Sequence, residues 1–369
     1  MSRTAAVYND YMAALGGGER STLAYALALS RLGYQTEVIG RGPMPADSTI
    51  RQRFGDDFSL VKLKQLDGMS RRKDWSVFVN HSFMNFSENI GDIGIYAQMF
   101  PFVRLAPADH DKLIRNLCTY DVVACNSSFT RLHTLDRWML PSSAVCVLYP
   151  PIGQGVWETS RTFASQTLLK KPQIVALGRF EPSIHCKNHH LIIDAFMEAS
   201  RDHLLSDWRL FVFGSTSPSR ASRDYFGRCE AMGRQSNGRV VVEQDASHSR
   251  VNAVLSESFG YVHGTGLLSR QDQPELCEHF GLAIAEAMAH GCVPLVFERG
   301  GIFDILDNSC AFVTFGSIEQ LRAAFVVLAK AYHSGSFQPL LANNLKGAAR
   351  LSHAAFTSQL EQLIGEYGG

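Results

Sequence analysis

Two glutamates, Glu278 and Glu286, stand with seven residues between them in the stretch Glu278-His279-Phe280-Gly281-Leu282-Ala283-Ile284-Ala285-Glu286-Ala287-Met288-Ala289-His290-Gly291. Gly281 opens an alanine-rich helix after a loop. A helix start with nothing bulky over it offers an anion unpaired N–H donors and the positive end of the dipole. Glu286 lies about one and a half turns in, Glu278 just before the helix, and Gly291 suits the left-handed residue that closes it. A carboxylate near a helix start is also favoured without any function, so the pair alone could be a solvated face. Upstream, Gly178-Arg179-Phe180 ends an apolar run and Lys187-Asn188 precedes a helical pattern. An arginine that bridges two oxygens and a lysine acting as a point charge, beside a loop and a helix start, suit a diphosphate; the bland reading is a surface charge pair.

Other segments share this placement between a strand and a helix. In Val262-His263-Gly264-Thr265-Gly266 the glycines permit close backbone approach, while His263 alone reads as well as a satisfied buried histidine. Gly16, Gly17 and Gly18, followed by Glu19, lie between the first strand and first helix. They do not form G-x-G-x-x-G, and no acidic residue closes the next strand, so a nicotinamide site is poorly supported. In Val122-Val123-Ala124-Cys125-Asn126-Ser127-Ser128-Phe129-Thr130 the role is structural: a turn, with a hydroxyl from Ser127–Thr130 capping the next helix.

Composition narrows the classes. The chain has 369 residues, enough for two domains, and 35 basic residues balance 35 acidic ones, which argues against a general nucleic-acid binder. No run of about 18 apolar residues suggests a membrane span, and the N-terminus lacks a signal-peptide pattern. Eight cysteines are scattered without a C-x-x-C pair, which predicts reduced thiols in a cytoplasmic setting and no zinc site.

Short β-branched runs alternate with helical patterns, as expected for parallel sheets covered by helices. The first series of strands is Thr4–Tyr8, Thr36–Ile39, Ser76–Asn80, Ile93–Met99, Asp121–Asn126 and Val145–Tyr149. After a polar linker at 153–171 a second series follows: Gln173–Gly178, Arg209–Gly214, Arg239–Glu243, Gly260–His263, Val293–Phe297 and Ala311–Phe315. A final helix is expected over Lys346–Glu366. Ligands of such sheets bind beyond the carboxyl ends of the strands, where the segments above fall.

On these residues the chain resembles the retaining GT-B glycosyltransferases, family 4 in particular. Glu278 and Glu286 match its E-x7-E signature. Gly16–Glu19 is similar to its G-G-x-E, His263–Gly266 to its H-x-T-G, Val122–Thr130 to its A-N-S-x-F-T, and Gly300-Gly301 to its G-G turn, with Asp304 where many relatives have Glu. The E-H-F-G form also resembles the dolichol-linked α-mannosyltransferases. The resemblance implies an α/β fold of two doubly wound Rossmann-like domains facing each other across a cleft. Residues 1–160 would form the acceptor side and 161–345 the nucleotide-sugar domain, with a helix at 346–369 returning to the first domain.

The implied reaction moves a sugar, with retention, from a nucleoside-diphosphate sugar to a hydroxyl of a glycan, lipid-linked or small-molecule acceptor. Arg179 and Lys187 would neutralise the diphosphate, Glu278 would face the donor sugar and Glu286 the ribose. Gly178, His263, Phe280, Gly281 and Leu282 would complete the donor site. Gly16, Gly17, Gly18 and His81 would face the acceptor side of the cleft. The gap from Arg179 to Lys187 is longer than the commonest family form, which leaves room for His185. Family members often carry a histidine where this chain has Ile95–Pro101, so His81 and His110 are substitutes by location only. No cofactor or metal is expected, because Asp109-His110-Asp111 lies away from the donor motifs. No nucleic-acid partner is expected either, and peripheral membrane contact is compatible with a cytoplasmic protein. Three alternatives stay open: another GT-B enzyme such as a sugar-nucleotide epimerase, an inactive nucleotide-sugar-binding subunit, and a displacement with Glu278 as nucleophile.

Overall fold

The structure, a computed structural model, describes residues 3–54, 58–67, 75–101, 107–153, 155–156, 170–183 and 185–368. Two compact units divide the chain. One holds Met1–Gln154 and Leu351–Gly369, the other Gly155–Arg350. Most of the linker expected at 153–171 lies outside the described residues.

The first unit contains a parallel sheet of seven strands, β1 (Thr4–Tyr8), β2 (Gln35–Gly40), β3 (Lys62–Gln65), β4 (Trp75–Asn80), β5 (Gly91–Gln98), β6 (Val122–Cys125) and β7 (Val145–Val147), in the order β3-β2-β1-β4-β5-β6-β7. Helices α1 (Gly17–Arg31), α2 (Asp47–Phe54), α3 (Pro107–Leu117) and α4 (Ser128–Trp138) connect them. Alternation along β1 splits the core. Ala5 and Val7 join Leu23, Ala26 and Phe356 on one face, while Ala6 and Tyr8 join Phe78, Tyr96 and Trp138 on the other. The edge strand β3 and helix α2 escape the sequence reading because both are short and polar.

The second unit contains a six-stranded parallel sheet, β8 (Lys171–Leu177), β9 (Arg209–Gly214), β10 (Val240–Gln244), β11 (Ser258–His263), β12 (Val293–Phe297) and β13 (Val313–Phe315), ordered β10-β9-β8-β11-β12-β13. Its helices are α5 (His189–Ala199), α6 (Arg220–Arg234), α7 (His248–Glu257), α8 (Leu282–Ala289), α9 (Ile318–Ser334) and α10 (Gln338–Ala349). Strand order reverses between β1 and β4 in the first sheet and between β8 and β11 in the second. A doubly wound sheet opens a crevice at such switch points.

Buried Lys170 ties two helix ends together just before β8. Its ammonium donates to the carbonyls of Leu255 (3.4 Å) and Ser256 (2.9 Å) near the end of α7, and to that of His290 after α8. A cation there satisfies carbonyls that a helix leaves unpaired and opposes the negative ends of two dipoles.

The final helix expected over Lys346–Glu366 is two helices. Helix α10 ends at Ala349, and α11 runs from His353 to Tyr367 with Ser352 as N-cap, its hydroxyl accepting from the Ala355 N–H at 3.2 Å. The break lies where the chain passes from the second unit to the first. Helix α11 packs on α1, with Phe356 edge-on to Tyr25 at 5.0 Å.

Candidate active site

Gly16–Gly18, His81, Gly178, Arg179, Lys187 and His263 follow or end the strands that flank the two switch points, whereas Glu286 lies within α8 and His110 on α3. In the second unit, β8 delivers Gly178, Arg179 and, past a short loop, Lys187. Strand β11 delivers His263, and the loop after it Glu278. A side chain at Gly178 would put its Cβ 2.5 Å from Lys187 Cγ, so glycine is what lets the lysine stem pass the strand end. Asn188 pins this loop to its neighbour by donating from Nδ2 to the Gly264 carbonyl at 2.8 Å, and His189 Nε2 reaches the Gly178 carbonyl at 3.1 Å. A crevice of about 270 Å³ opens between the two loops, lined by Ser183, His185 and Cys186 on one side and by Gly266 and Leu268 on the other.

Glu278 is held by its backbone and its side chain. The Gly300-Gly301 turn carries the backbone: the Gly301 N–H donates to the Glu278 carbonyl at 2.8 Å. Gly300 has φ 123°, and a Cβ there would stand 2.4 Å from that carbonyl oxygen, so only glycine fits. The carboxylate Oε2 accepts from Lys187 Nζ at 2.7 Å and pairs with His263 Nε2 at 2.7 Å. Burial would push this carboxyl up, but the Lys187 charge and the His263 hydrogen bond outweigh it and hold Glu278 well below the usual range. Burial, then Lys187, lowers His263. The ion pair is only partly covered, with the two side chains 20% and 16% exposed.

Arg179 is exposed, and its guanidinium forms no hydrogen bond or ion pair among the described residues, while its carbonyl accepts from the Glu181 N–H at 2.9 Å. It and Lys187 thus supply one cation open to solvent and one engaged by Glu278. Phe280 is buried, Gly281 caps the start of α8, Leu282 is its first residue, and Glu286 is half-buried one turn on. His185, which the long loop admits, sits with its ring edge-on to His279 at 4.3 Å. Burial and the Lys187 charge lower His185 to about 4.

In the first unit Gly16 is the N-cap of α1, and its N–H donates to the Glu19 carboxylate at 2.7 Å, so Glu19 closes the first helical turn. Gly17 is exposed; a Cβ on Gly18 would press on Met99. His81, after β4, is 3% exposed, with Nδ1 3.1 Å from the Thr22 hydroxyl and its ring against Tyr25. Asn9 Nδ2 donates to the same hydroxyl at 2.7 Å. Burial lowers His81 to about 4, so it is neutral near pH 7. The structure therefore places His81 behind the glycine turn, bracing α1. His110 lies on α3 with Asp109 and Asp111, and no cluster fit to hold a metal occurs among the described residues. Sequence reasoning missed Tyr261 and Asn188. Tyr261 sits inside an apolar strand and reads as core, and Asn188 carries no charge.

Comparison with known proteins follows this geometry. Residues 159–328 match the family described as glycosyl transferases group 1. A GDP-Man:Man(3)GlcNAc(2)-PP-Dol alpha-1,2-mannosyltransferase of Yarrowia lipolytica is 25% identical over 189 residues, which are 49% of this chain and 27% of that protein. The protein of the same name from Homo sapiens is 27% identical over 191 residues, 49% of this chain and 35% of its own. The chain thus matches only about a third of the length of these relatives or less. Among solved structures, a glycosyltransferase from Rickettsia africae superposes with a TM-score of 0.72 at 9% identity, covering 99% of this chain and 98% of that one. Anabaena HepE in complex with UDP gives 0.71 at 11% identity, covering 99% and 100%. WaaG, a glycosyltransferase involved in lipopolysaccharide biosynthesis, gives 0.61 at 15%, covering 99% and 100%. The fold is GT-B, with two Rossmann-like parallel sheets, and the segment that is similar to glycosyl transferases group 1 lies within the second unit.

Proposed function

We propose that this chain is a retaining glycosyltransferase of the family 4 type, which moves a sugar from a nucleoside-diphosphate sugar to a hydroxyl of a glycan or lipid-linked acceptor. The observation that carries the reading is the Lys187–Glu278–His263 cluster beside Arg179 at the switch point of the second sheet, inside the matched family segment. The mannosyltransferase relatives favour GDP-mannose as donor.

In this reading Arg179 and Lys187 stabilise the departing diphosphate. Glu278 accepts from the donor sugar hydroxyls and Glu286 from the ribose. The bond from the anomeric carbon to the diphosphate oxygen breaks, and a bond to the acceptor oxygen forms on the same face. The acceptor proton goes to the leaving phosphate oxygen. The protein contributes position and fixed charge, and no metal takes part.

Thermal shift with GDP-mannose, GDP, UDP-glucose and UDP identifies the nucleotide; at about 100 times its dissociation constant a ligand adds about 2.7 kcal/mol of stability. Transfer to a mannosyl-lipid acceptor is then followed with and without chelator, and the product's anomeric configuration is read by NMR. An α-linked product from the α-linked donor, formed in chelator, supports the proposal. An inverted product, loss of activity restored by magnesium or manganese, donor epimerised without acceptor, or binding without turnover would each overturn the corresponding part.

A further inference from the structure

Behind the carboxylate of Glu278 lies a chain of buried groups that the reaction does not touch. Tyr261 is fully buried on β11, two residues before His263, with its ring stacked over the imidazole. Its hydroxyl lies 3.2 Å from His263 Nδ1 and 3.4 Å from the Leu177 carbonyl oxygen, at the end of the neighbouring strand β8. On the far side of the ring, His263 Nε2 meets Glu278 Oε2 at 2.7 Å. A neutral imidazole has one proton and must place it on one nitrogen or the other.

The charges decide which. Glu278 is ionised against Lys187, so Oε2 is a pure acceptor and a bare Nε2 lone pair at that distance would be repelled. The proton therefore belongs on Nε2, and Nδ1 needs a donor. Tyr261 is the donor in reach: its one proton has two acceptors, of which Nδ1 at 3.2 Å is nearer than the Leu177 carbonyl at 3.4 Å, and burial, reinforced by the charges of Glu278 and Glu286, raises its phenol well above the ordinary value and keeps it protonated. Among the described residues Glu278 Oε1 accepts no hydrogen bond, so the relay spends one carboxylate oxygen and leaves the other for a ligand.

We infer that Tyr261 is a positioning residue of the donor site: by donating to His263 Nδ1 it satisfies the nitrogen that the Nε2–H form leaves bare, fixes the ring, and so holds Glu278 with Oε1 presented to the donor sugar. This rests on the function proposed above for its last link alone; the proton order stands on the geometry. It also gives Lys187 freedom. When a donor diphosphate draws the ammonium off Glu278, the His263 hydrogen bond remains to orient the carboxylate.

Three measurements on the full chain test it. First, ¹⁵N-imidazole NMR, with His263 assigned by its loss in His263→Gln, should show the Nε2–H form in the wild type and, in Tyr261→Phe, a displaced Nδ1 resonance as that nitrogen loses its donor. Second, Tyr261→Phe should lower turnover of GDP-mannose on the order of tenfold, the cost of one neutral hydrogen bond, with GDP affinity changed less than about twofold. Third, His263→Gln, whose amide can donate to Glu278 whatever Tyr261 does, should make Tyr261→Phe silent: the double variant should turn over as His263→Gln alone does. An Nδ1–H wild type, an Nδ1 resonance unmoved by Tyr261→Phe, or additive losses in the double variant would overturn the relay. The expected resonances in a protein that neither binds nor consumes a nucleotide sugar would support the relay and overturn the proposed function.

Discussion

Lys187→Met followed by Glu278→Gln on the same chain separates what this ion pair does for stability from what it does for catalysis. At 2.7 Å the two unit charges attract by about 6 kcal/mol in an effective dielectric of about 20. Most of that is returned as desolvation. The useful quantity is the cost of orphaning one partner, about 3–5 kcal/mol for a fully buried pair. With the side chains 20% and 16% exposed, the lower end applies. Lys187→Met should thus lose about 2–3 kcal/mol, since Glu278 keeps only His263. Adding Glu278→Gln removes the orphan charge and should recover at least half of that loss. Turnover should behave oppositely: Lys187→Met should cost about a hundredfold, as deleting one transition-state charge partner does, and the second change should cost more. Urea denaturation followed by fluorescence, beside a donor-consumption assay, reads both. A single variant that loses less than about 0.5 kcal/mol would mean that the pair does not form in solution. A double variant that regains turnover would mean that Lys187 serves Glu278 alone and no diphosphate.

Lys170→Met keeps the aliphatic stem but takes the ammonium from the carbonyls of Leu255, Ser256 and His290; we expect a loss of about 2–4 kcal/mol in chemical denaturation. Acid should destabilise the protein early. His81 and His290 fall from the ordinary 6.5 to about 4 by burial, so the unfolded chain takes up their protons first. Their stabilisation is complete above about pH 6.5 and declines by on the order of 3 kcal/mol each toward pH 4. A midpoint flat from pH 7 to 5 in calorimetry would contradict their burial as neutral rings. Glu286→Gln should weaken nucleoside-diphosphate binding about tenfold with turnover at saturation little changed, since a ribose contact is present before and during transfer; calorimetric titration with GDP and UDP decides it.

Much of the candidate site is legible in the residues because it depends on local chain geometry. Gly281 and Gly291 bracket α8 where the sequence places them, since a helix of alanines between two glycines needs no tertiary help to be read. Ser127 caps α4, accepting from the Thr130 N–H at 3.0 Å, for a reason that lies within four residues. The strands of both sheets were visible as apolar runs, whereas β3 and α2, short and polar, gave no periodic signal.

The sequence by itself determined two doubly wound sheets and the loops on which cations, carboxylates and glycines would stand, because strand alternation, helix capping and turn chemistry are local and written residue by residue. The tertiary structure alone decided which of those groups meet. Lys187 and Glu278 are 91 residues apart yet share one carboxylate oxygen with His263. Tyr261 turns from a core aromatic into a hydrogen-bond donor. His81, singled out from the sequence only by its place after β4, is a buried neutral ring against Thr22 and Tyr25 of α1. The break at 350–352 likewise follows from the passage of the chain from one unit to the other. Long-range contacts of this kind are set by packing and by the need to satisfy buried charge, and neither quantity exists until the sheets have assembled.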